Sequence, residues 1–373
     1  MVKKKIALVH YLPIEYYPPV TNFINVISAK SDLKLQIFTS HNAKNRKVFE
    51  KKNVKIFRTF SAEYSPNNWL RLLGYFLFNS VTFLRLCWFN PSVVLYYESY
   101  SAMPVFWYFK LFGKNKKLWM HAHEYFNAEW YSGGMKTVKF YHTLEVNYLY
   151  RIATGLSQTN DKRAELFLND YPFIPKDKVH VIPNYPPLNW LKPDHGLKIQ
   201  SPLKVVYMGS LSSKNTFITE FCEWVLTQKD NVIFDIYAYN IEKETRDYLE
   251  NLASSQVRFF EKGVEYDKIP EILSQYHVGL ILYKNFNVNF QYNETNKLFE
   301  YLVCGLDVWY SSEMEGPDRL KTKNTYPKVI KTDFSNMHLV DLKTVINHED
   351  CSYRPFHFEC ESVYEELLSK LLN

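Results

Sequence analysis

Short apolar runs alternate along the chain with segments of helical periodicity, which is the pattern of a parallel sheet whose strands are joined by helices. In the first half, the predicted strands are Ile6–His10, Leu35–Ser40, Val54–Phe57, Val93–Tyr97, Leu118–His121 and Gly155–Gln158. In the second half, they are Lys204–Gly209, Ile233–Tyr237, Val257–Phe260, Val278–Tyr283 and Val308–Ser311. The sequence therefore predicts an α/β protein with two doubly wound units.

A proline-rich polar stretch between the halves predicts a linker. At 373 residues the chain exceeds the size at which one core keeps growing, so two domains are expected. We predict a first domain over residues 1–184, a linker over 185–202 and a second domain over 203–356. Residues 357–373 include Cys360–Leu372, whose helical spacing predicts a C-terminal helix that packs back on the first domain.

The segment Asn68–Phe89 is nearly continuous in apolar residues and predicts a long helix. Its polar residues recur at helical spacing and form one narrow stripe, made of Arg71, Tyr75, Asn79, Thr82 and Arg85. About 20 residues can span a bilayer, but each arginine inside would cost roughly 2.5–3.5 kcal/mol. The alternatives are a helix buried against the sheet and a helix lying in a membrane interface. Nearby residues that support the interface are Trp107, Tyr108, Lys110, Phe112 and Lys114–Lys117.

The composition indicates which kinds of ligand and which cellular setting fit the chain. A formal net charge of +6 is too weak to argue for nucleic-acid binding, but it fits an anionic substrate or membrane surface. The aromatic content of 17% suits sugar-stacking clefts as well as cores. Five dispersed cysteines without metal-ligand spacing predict reduced thiols and a cytoplasmic setting.

Several motifs of known chemistry are absent from the sequence. No P-loop occurs, and no Gly-x-Gly-x-x-Gly follows a predicted strand, so a dinucleotide-dependent enzyme is disfavoured and no cofactor is expected. The chain also lacks an Asp-x-Asp motif, the usual metal-chelating route to a nucleoside diphosphate. If the protein binds a diphosphate, helix termini and lysines must therefore hold it.

The stretch Asn293–Gly305 predicts such a site. It reads as a helix that opens directly after the strand Val278–Tyr283 and stops at Gly305. Lys297 falls in the first turn, where a positive charge is unfavourable by about 0.3–1 kcal/mol unless an anion is bound. Glu300, one turn further, is placed to accept hydrogen bonds from a sugar diol. The alternative is a surface lysine beside a glutamate that complements the helix dipole.

A second lysine follows the first strand of the second unit. That strand ends at Gly209, and Ser210–Ser213 offer capping hydroxyls for a helix with Lys214 in its first turn. Ligands of open α/β sheets bind at such carboxyl ends of strands. A glycine turn after Val257–Phe260 offers backbone groups to a nucleobase edge. The predicted donor-binding residues are Gly209, Ser210, Lys214, Gly263, Val264, Tyr283, Thr295, Asn296, Lys297 and Glu300.

In the first unit, polar residues follow the strand Leu118–His121. Alternation places His121 and His123 on the same face, and either could hydrogen-bond a sugar hydroxyl. Glu124 is placed to orient a histidine or to contact an acceptor. The predicted acceptor-side residues are Tyr16, Tyr17 and Glu98, and the predicted catalytic residues are His123, Glu124 and Lys297, with no metal ligand.

These motifs resemble those of GT-B glycosyltransferases, especially family 4. The residues that carry the resemblance are Val181–Asn184 with the proline linker, Tyr207–Leu211, Asn296–Val308 and His123–Tyr125. The resemblance implies two Rossmann-like domains that face each other across a cleft, a donor held mainly by the second domain, metal-independent transfer and retention of anomeric configuration. It implies that Glu300 binds the donor ribose, that Asn296 and Lys297 approach the diphosphate, and that His123 lies near the transferred sugar.

The sequence departs from the family pattern at three places. Tyr292 stands where the family often has the first of two glutamates, and Ser210 stands where an arginine is usual. Tyr17–Pro19 replaces the glycine-rich first loop.

The sequence thus predicts a cytoplasmic, membrane-associated glycosyltransferase. It would move a hexose-type sugar from a UDP- or GDP-linked donor to a hydroxyl of a glycan, such as a lipid-linked intermediate of surface polysaccharide. One alternative is an inverting transferase with Glu124 or His123 as the base. Another is an inactive transferase-like subunit that binds a partner enzyme or glycan.

Overall fold

The computed structural model describes residues 3–41, 46–61, 65–192, 201–252, 254–322, 324–343, 347 and 351–373. The chain forms two compact units. Unit 1 comprises Met1–Pro183 and Cys360–Asn373, and unit 2 comprises Asn184–Glu359. The first residues of the predicted linker fall in unit 2, where Trp190 is buried and the ring of Tyr185 lies 4.7 Å from that of Phe299. Residues 193–200 of the predicted linker lie outside the described residues.

Unit 1 is built on a parallel sheet with the strand order β3-β2-β1-β4-β5-β6-β7. The strands are β1 (Lys4–His10), β2 (Leu33–Ser40), β3 (Lys55–Thr59), β4 (Val93–Tyr97), β5 (Lys117–His121), β6 (Gly155–Gln158) and β7 (Val179–Val181). The chain order reverses between β1 and β4, and ligands of doubly wound sheets bind at the carboxyl ends of the strands at that point. In register, His10 pairs with Tyr97, and Tyr97 with His121. The fold therefore brings the ends of three strands together.

Helices cover this sheet. They are α1 (Pro18–Ser28), α2 (Asn68–Phe89), α3 (Ala102–Phe112), α4 (Ala128–Gly133), α5 (Lys136–Leu144), α6 (Tyr150–Ile152) and α7 (Asp161–Asp170). A π-helical turn, Glu145–Leu149, joins α5 to α6. α2 begins after Asn67, whose side chain accepts a hydrogen bond from the amide of Trp69, and it ends at Asn90 in a left-handed conformation. The prediction of a helix over Asn68–Phe89 is confirmed.

Unit 2 repeats the same strand order as β10-β9-β8-β11-β12-β14, again all parallel. Its strands are β8 (Leu203–Met208), β9 (Val232–Tyr237), β10 (Val257–Phe260), β11 (Val278–Ile281), β12 (Asp307–Ser311), the separate pair β13 (Thr325–Tyr326) and β15 (Ser352–Tyr353), and β14 (Val329–Thr332). Its helices are α8 (Ile218–Thr227), α9 (Lys243–Asn251), α10 (Ile269–Leu273), α11 (Val288–Gln291) and α12 (Asn296–Val303). Short 3₁₀ helices in the two units are Ile14–Tyr16, Ser99–Ser101, Lys176–Lys178, Leu188–Trp190, Tyr266–Lys268, Gly316–Leu320 and Phe334–Leu339.

The C-terminal helix α13 (Cys360–Leu372) belongs to unit 1. The hydroxyl of Tyr364 donates to the carbonyl of Pro19 at 2.9 Å, and its ring packs edge-on against Phe23. An ion pair between Lys30 and Glu365, 2.8 Å long, adds a contact to the far end of α1. This packing closes one side of the unit 1 core.

Each predicted strand is present in the structure, most of them shifted by one or two residues at an end. The strands that the sequence did not predict are β7, β13, β14 and β15, each of four residues or fewer.

One prediction about the order of elements is wrong. The helix α12 does not open directly after the strand, because β11 ends at Ile281 and residues 282–295 intervene. Asn287 caps the short helix α11 within this loop, as its side chain accepts a hydrogen bond from the amide of Phe290. An asparagine N-cap therefore diverts the chain before α12 begins.

Candidate functional site

The N-terminus of α12 in unit 2 presents unpaired hydrogen-bonding groups. Thr295 caps the helix by backbone conformation, and its side chain makes no capping hydrogen bond. The residue is only 7% exposed, yet its hydroxyl oxygen has no partner among the described residues. The hydrogen bonds of this turn begin with the amide of Leu298, which donates to the carbonyl of Thr295 at 3.0 Å. The preceding amides, at Asn296 and Lys297, are left for a ligand.

Lys297 lies in the first turn, as predicted, and its ammonium group turns back over the end of β8. Its Nζ donates to the hydroxyl of Tyr283 at 2.8 Å and lies 5.5 Å from the ring centre of Tyr207. Burial alone would lower the pKa of this ammonium, but the oxygen of Tyr283 and the carboxyl of Glu300 outweigh it and raise the pKa. Lys297 therefore carries a positive charge in a half-buried position at the positive end of a helix.

Glu300 lies one turn further along α12 and is buried. Burial raises the pKa of its carboxyl to about 7, and the nearby ammonium of Lys297 limits the rise. No hydrogen bond to the Glu300 side chain occurs within the part of the chain that the structure describes. A buried carboxyl without a partner has unused capacity to accept hydrogen bonds.

Two contacts hold α12 in place. The ring of Tyr301 packs over Gly279 of β11, where any Cβ would lie 2.3 Å from the ring, and its hydroxyl accepts from the amide of Met208 at 3.1 Å. Just before the helix, the buried carboxylate of Glu294 forms a two-pronged ion pair with Arg319, at 2.6 and 2.7 Å. Both contacts position the first turn of the helix, and neither Glu294 nor Arg319 was singled out from the sequence.

A pocket of about 210 Å³ in unit 2 lies near this helix end. Its wall includes Ser210, Ser212, Asn240, Tyr283 and Phe290. Tyr283, whose hydroxyl accepts from Lys297, connects the pocket to the cationic group. Of the predicted donor residues, the structure brings Gly209, Ser210, Tyr283, Thr295, Asn296, Lys297 and Glu300 to this part of unit 2.

Lys214 does not occupy the predicted position. The helix α8 begins at Ile218 rather than beside Lys214, and no serine side chain caps it. The Lys214 side chain is exposed and lies 3.9 Å from the carboxylate of Glu244. The chain is diverted because Thr216 forms an antiparallel bridge with Tyr283, and the helix starts only beyond it. The prediction that α8 carries Lys214 in its first turn is therefore wrong.

The turn at Gly263 has a positive φ of 60°, which glycine adopts readily. A Cβ there would lie 3.2 Å from the ring of Tyr239, so the turn and this ring are in close contact. Val264 is partly buried and packs against the core beside α12. A role of this turn in binding a nucleobase stays a prediction.

In unit 1, a cluster of aromatic and imidazole rings lies at the carboxyl ends of the central strands. His10 ends β1, Tyr97 ends β4 and His121 ends β5. The imidazole of His123 stacks on Tyr97 with ring centres 4.9 Å apart and on Tyr17 at 5.2 Å. His121 and His123 lie together, as alternation predicted, with ring centres 5.1 Å apart.

His123 differs from its neighbours because its ring stacks on other rings but makes no hydrogen bond within the described chain. The residue is 7% exposed, and neither ring nitrogen has a hydrogen-bond partner among the described residues. His121, by contrast, bonds the hydroxyl of Ser157 at 2.9 Å, and His10 bonds the carbonyl of Leu12 at 2.6 Å. Burial holds the pKa of His123 well below its usual value, helped by the two neighbouring imidazoles. The ring is therefore neutral and can both donate and accept a hydrogen bond.

Glu98 positions the backbone that carries His123. Its carboxyl oxygen accepts from the amide of His123 at 2.6 Å and from that of Glu124 at 3.4 Å. Glu98 has a φ of 58°, a strained value for this residue type, and burial raises the pKa of its carboxyl to about 8. Glu124 makes no hydrogen bond to the ring of His123 in the described chain, so of its two predicted roles only contact with an acceptor stays a prediction. Tyr16 is half-buried in a 3₁₀ helix, and its role in binding an acceptor stays a prediction.

His10 and Tyr97 are the members of this cluster that the sequence analysis missed. Both are final residues of predicted strands, and parallel strands align their carboxyl ends. The sequence predicted where the strands Val93–Tyr97 and Ile6–His10 end. It did not predict the strand order, which decides which of these ends lie side by side.

No protein-family model matches the chain, and no curated protein is similar to it in sequence. Solved structures are similar along the whole chain. The Anabaena protein Alr3699/HepE in complex with UDP and glucose superposes with a TM-score of 0.65 at 10% identity, and 99% of each chain is covered. The lipopolysaccharide outer core galactosyltransferase WaaB superposes with a TM-score of 0.59 at 13% identity, again with 99% of each chain covered. The chain has the GT-B fold. The prediction of that fold is confirmed, whereas membership of family 4 stays a prediction.

The GT-B fold alone does not decide the reaction. A putative UDP-N-acetylglucosamine 2-epimerase from Listeria monocytogenes superposes with a TM-score of 0.63 at 12% identity, covering 100% of this chain and 96% of that one. The function must therefore be argued from the side chains of unit 1 and unit 2.

Replacing Gly209 with alanine tests the geometry around Lys297. A Cβ at this position would lie 2.7 Å from Cε of Lys297, and the φ of 132° is disfavoured for alanine. We expect Gly209→Ala to destabilise the protein by about 1–3 kcal/mol and to weaken UDP binding roughly tenfold, measured by thermal unfolding and titration calorimetry. Gly133→Ala is the control, because a Cβ there meets nothing within 4 Å. Unchanged UDP affinity in the Gly209 variant would contradict a role for Lys297 in binding the nucleotide.

Proposed function

We propose that the protein transfers a sugar from a nucleoside-diphosphate sugar, UDP- or GDP-linked, to a hydroxyl of a glycan. The observation that carries the proposal is the N-terminus of α12. A charged Lys297, two open amides and the buried, unpartnered hydroxyl of Thr295 meet there. Such a group of donors suits a diphosphate, which carries negative charge on several oxygens.

Charge develops on the diphosphate as the glycosidic bond to the donor breaks. Lys297 and the amides of Asn296 and Lys297 would stabilise that charge, because they are held in place before the reaction begins. The carboxylate of Glu300 would accept hydrogen bonds from the two ribose hydroxyls. Since these groups supply the positive charge themselves, we expect transfer to proceed without an added metal ion.

We further propose that transfer retains the anomeric configuration, as the resemblance to family 4 implies. The departing phosphate would then accept the proton of the attacking hydroxyl. One observation keeps inversion as the second candidate. His123 is neutral, and neither of its ring nitrogens has a partner, so it could accept that proton instead. The anomeric configuration of the product, determined by NMR, distinguishes the two outcomes.

The acceptor and the cellular location are also proposed. The hydroxyl acceptor would belong to a lipid-linked glycan of surface polysaccharide assembly, and transfer would take place in the cytoplasm. The location is supported by the five free cysteines, of which Cys222, Cys304 and Cys360 are buried as thiols.

Nucleotide binding and turnover test the proposal separately. We expect UDP or GDP at about 100 times its Kd to stabilise the protein by roughly 2.7 kcal/mol in thermal unfolding, while the matching monophosphate, lacking the second phosphate, stabilises it less. His123→Phe keeps the stacking on Tyr17 and Tyr97 but removes both ring nitrogens. We expect this variant to retain the stabilisation by nucleotide and to lose transfer about 100-fold, because the ring of His123 could no longer hydrogen-bond the transferred sugar.

Three results would count against the proposal. If no nucleoside diphosphate stabilised the protein, the proposed donor site would be wrong. Stabilisation with a product that is an epimerised free sugar would assign the site to epimerisation. Stabilisation without turnover of any sugar donor would assign the protein to the class of inactive binding subunits.

A further inference from the structure

The helix α2 in unit 1 is oriented against the usual rule for a surface helix. Such helices normally turn apolar residues to the core and polar residues to water. In α2 the polar stripe faces the protein. Tyr75, Asn79 and Thr82 of the stripe are buried, and the guanidinium of Arg85 lies 3.9 Å from the ring centre of Phe57. Phe78, Leu86 and Phe89 are buried with this stripe, but most of the other large apolar side chains of the helix are left on the outside.

Specific contacts fix this orientation. The side-chain amide of Asn79 donates to the hydroxyl of Tyr141 at 2.6 Å, with both residues buried. Tyr75 stacks on Tyr11 with ring centres 4.9 Å apart, and Phe78 meets the edge of the same ring. Rotating the helix would bury the apolar side, but it would also break the buried hydrogen bond between Asn79 and Tyr141. The inverted orientation is thus built into the packing.

The outward side forms an apolar surface, which we call the α2 outer face. It consists of Trp69, Leu72, Leu73, Phe76, Leu84 and Trp88, all exposed. Trp69 and Trp88, 81% and 82% exposed, mark its two ends, roughly 28 Å apart along the helix axis. Soluble proteins rarely leave so large an apolar strip in water, so this face is expected to be covered in use.

Basic residues surround the same part of the chain. Residues 65–123 contain six basic residues, which are Arg71, Arg85, Lys110, Lys114, Lys116 and Lys117, and of these Arg85 turns inward over Phe57. The only acidic residue in that stretch is Glu98, whose side chain binds backbone amides. Lys116 donates to Asn90 at 2.6 Å, which ties the basic loop to the end of α2 beside Trp88. Leu111 and Phe112, exposed at the end of α3, extend the apolar surface there.

We propose that the α2 outer face lies flat in the interface of a membrane that contains anionic lipids. Tryptophan rings favour the boundary between headgroups and acyl chains, and lysines beside them bind anionic headgroups. An anionic membrane surface matches both features of this part of the chain, the apolar strip and the neighbouring basic residues. The inference does not depend on the proposed sugar transfer.

The helix lies along the membrane rather than across it. By length and a mean hydropathy of 1.4, α2 could span a bilayer, and it is the one described helix that could. Its inward side, however, contacts β1, β2 and β3, so a span would pull these contacts out of the unit 1 core. Of the residues that the sequence assigned to the interface, Tyr108 is fully buried, and Trp107 is half-buried and packs on Phe83 of α2.

Co-sedimentation with vesicles tests the proposal on the full chain. The probes are vesicles of phosphatidylcholine alone and vesicles with about 30 mol% phosphatidylglycerol, at about 50 and 500 mM salt. We expect strong binding to the anionic vesicles at low salt, weaker binding at high salt and little binding to the neutral vesicles. The double variant Trp69→Ser/Trp88→Ser should bind the anionic vesicles at least tenfold more weakly.

A matched pair of single variants separates the α2 outer face from exposed apolar residues in general. Leu84→Ser changes a residue that is 64% exposed on this face, and Leu339→Ser changes one that is 74% exposed in unit 2. We expect only Leu84→Ser to reduce vesicle binding, with thermal unfolding of both variants close to that of the unchanged protein. Equal binding of the double variant and the unchanged protein would overturn the proposal. So would a dimer in solution that dissociates on Trp69→Ser/Trp88→Ser, since a second copy would then cover the face.

Discussion

Lys297→Met should lower kcat for sugar transfer by about 100- to 1000-fold. The substitution removes the ammonium that lies between the rings of Tyr207 and Tyr283, while a side chain of similar length still fills that space. The loss is large because the charge on the leaving diphosphate develops beside the start of α12. Without the ammonium, only amides and the hydroxyl of Thr295 remain to stabilise it. Steady-state kinetics with the donor identified by nucleotide binding measures the effect.

Lys204→Met is the matched control for this variant. Lys204 is exposed in β8, at the opposite end of the strand that leads to Gly209, and should leave kcat within twofold of the unchanged protein. A pH titration of the Glu300 carboxyl is a second test of this variant, because the ammonium of Lys297 limits the rise of the Glu300 pKa. In Lys297→Met the pKa of Glu300 should therefore rise further above 7. Normal turnover in Lys297→Met would remove this group from the mechanism.

Glu300→Gln should make the protein more stable and, at the same time, a weaker binder of the donor. The carboxyl of Glu300 has a pKa of about 7 in the folded protein, against an ordinary value of 4.5, because it is buried. The folded state therefore binds an extra proton between these values, and ionisation above pH 7 costs stability. The penalty is absent below about pH 4.5 and complete above about pH 7. Its upper limit is roughly 3 kcal/mol.

Unfolding at two pH values measures this gain. At pH 8 the Glu300→Gln variant should be more stable than the unchanged protein, and at pH 4 the two should unfold alike. UDP affinity at pH 8 should fall about tenfold, because the amide replaces a carboxylate that binds the ribose hydroxyls. Glu250→Gln, an exposed residue of α9, is the control and should change neither quantity. A variant that is no more stable and binds UDP normally would contradict both the burial of this charge and its role.

The stability and the function of Glu300 thus oppose each other. A protein selected for stability alone would place a neutral residue at this position, since no side chain in the described structure bonds the carboxyl. Residues kept at a cost in stability often mark a binding site. The strained φ of Glu98 and the unpartnered imidazole of His123 are the corresponding features in unit 1.

The sequence predicted the placement of Lys297 correctly and that of Lys214 wrongly, for one physical reason. The start of α12 carries a strong local signal, with Thr295 at the cap and apolar residues at helical spacing behind it. The start of α8 depends instead on the bridge between Thr216 and Tyr283, residues far apart in the chain. Local patterns could identify the first helix end, whereas contacts between distant segments decided the second.

Most strands, the two repeated α/β units and the long helix Asn68–Phe89 were determined by the sequence alone, because periodicity of apolar residues is a local property. Only the tertiary structure decided that His10 and Tyr97 join His123 at one edge of the sheet, because strand order sets which strand ends meet. It also decided which side of α2 meets solvent. A stripe of polar residues looks the same from either side until partners such as Tyr11 and Tyr141 occupy one of them.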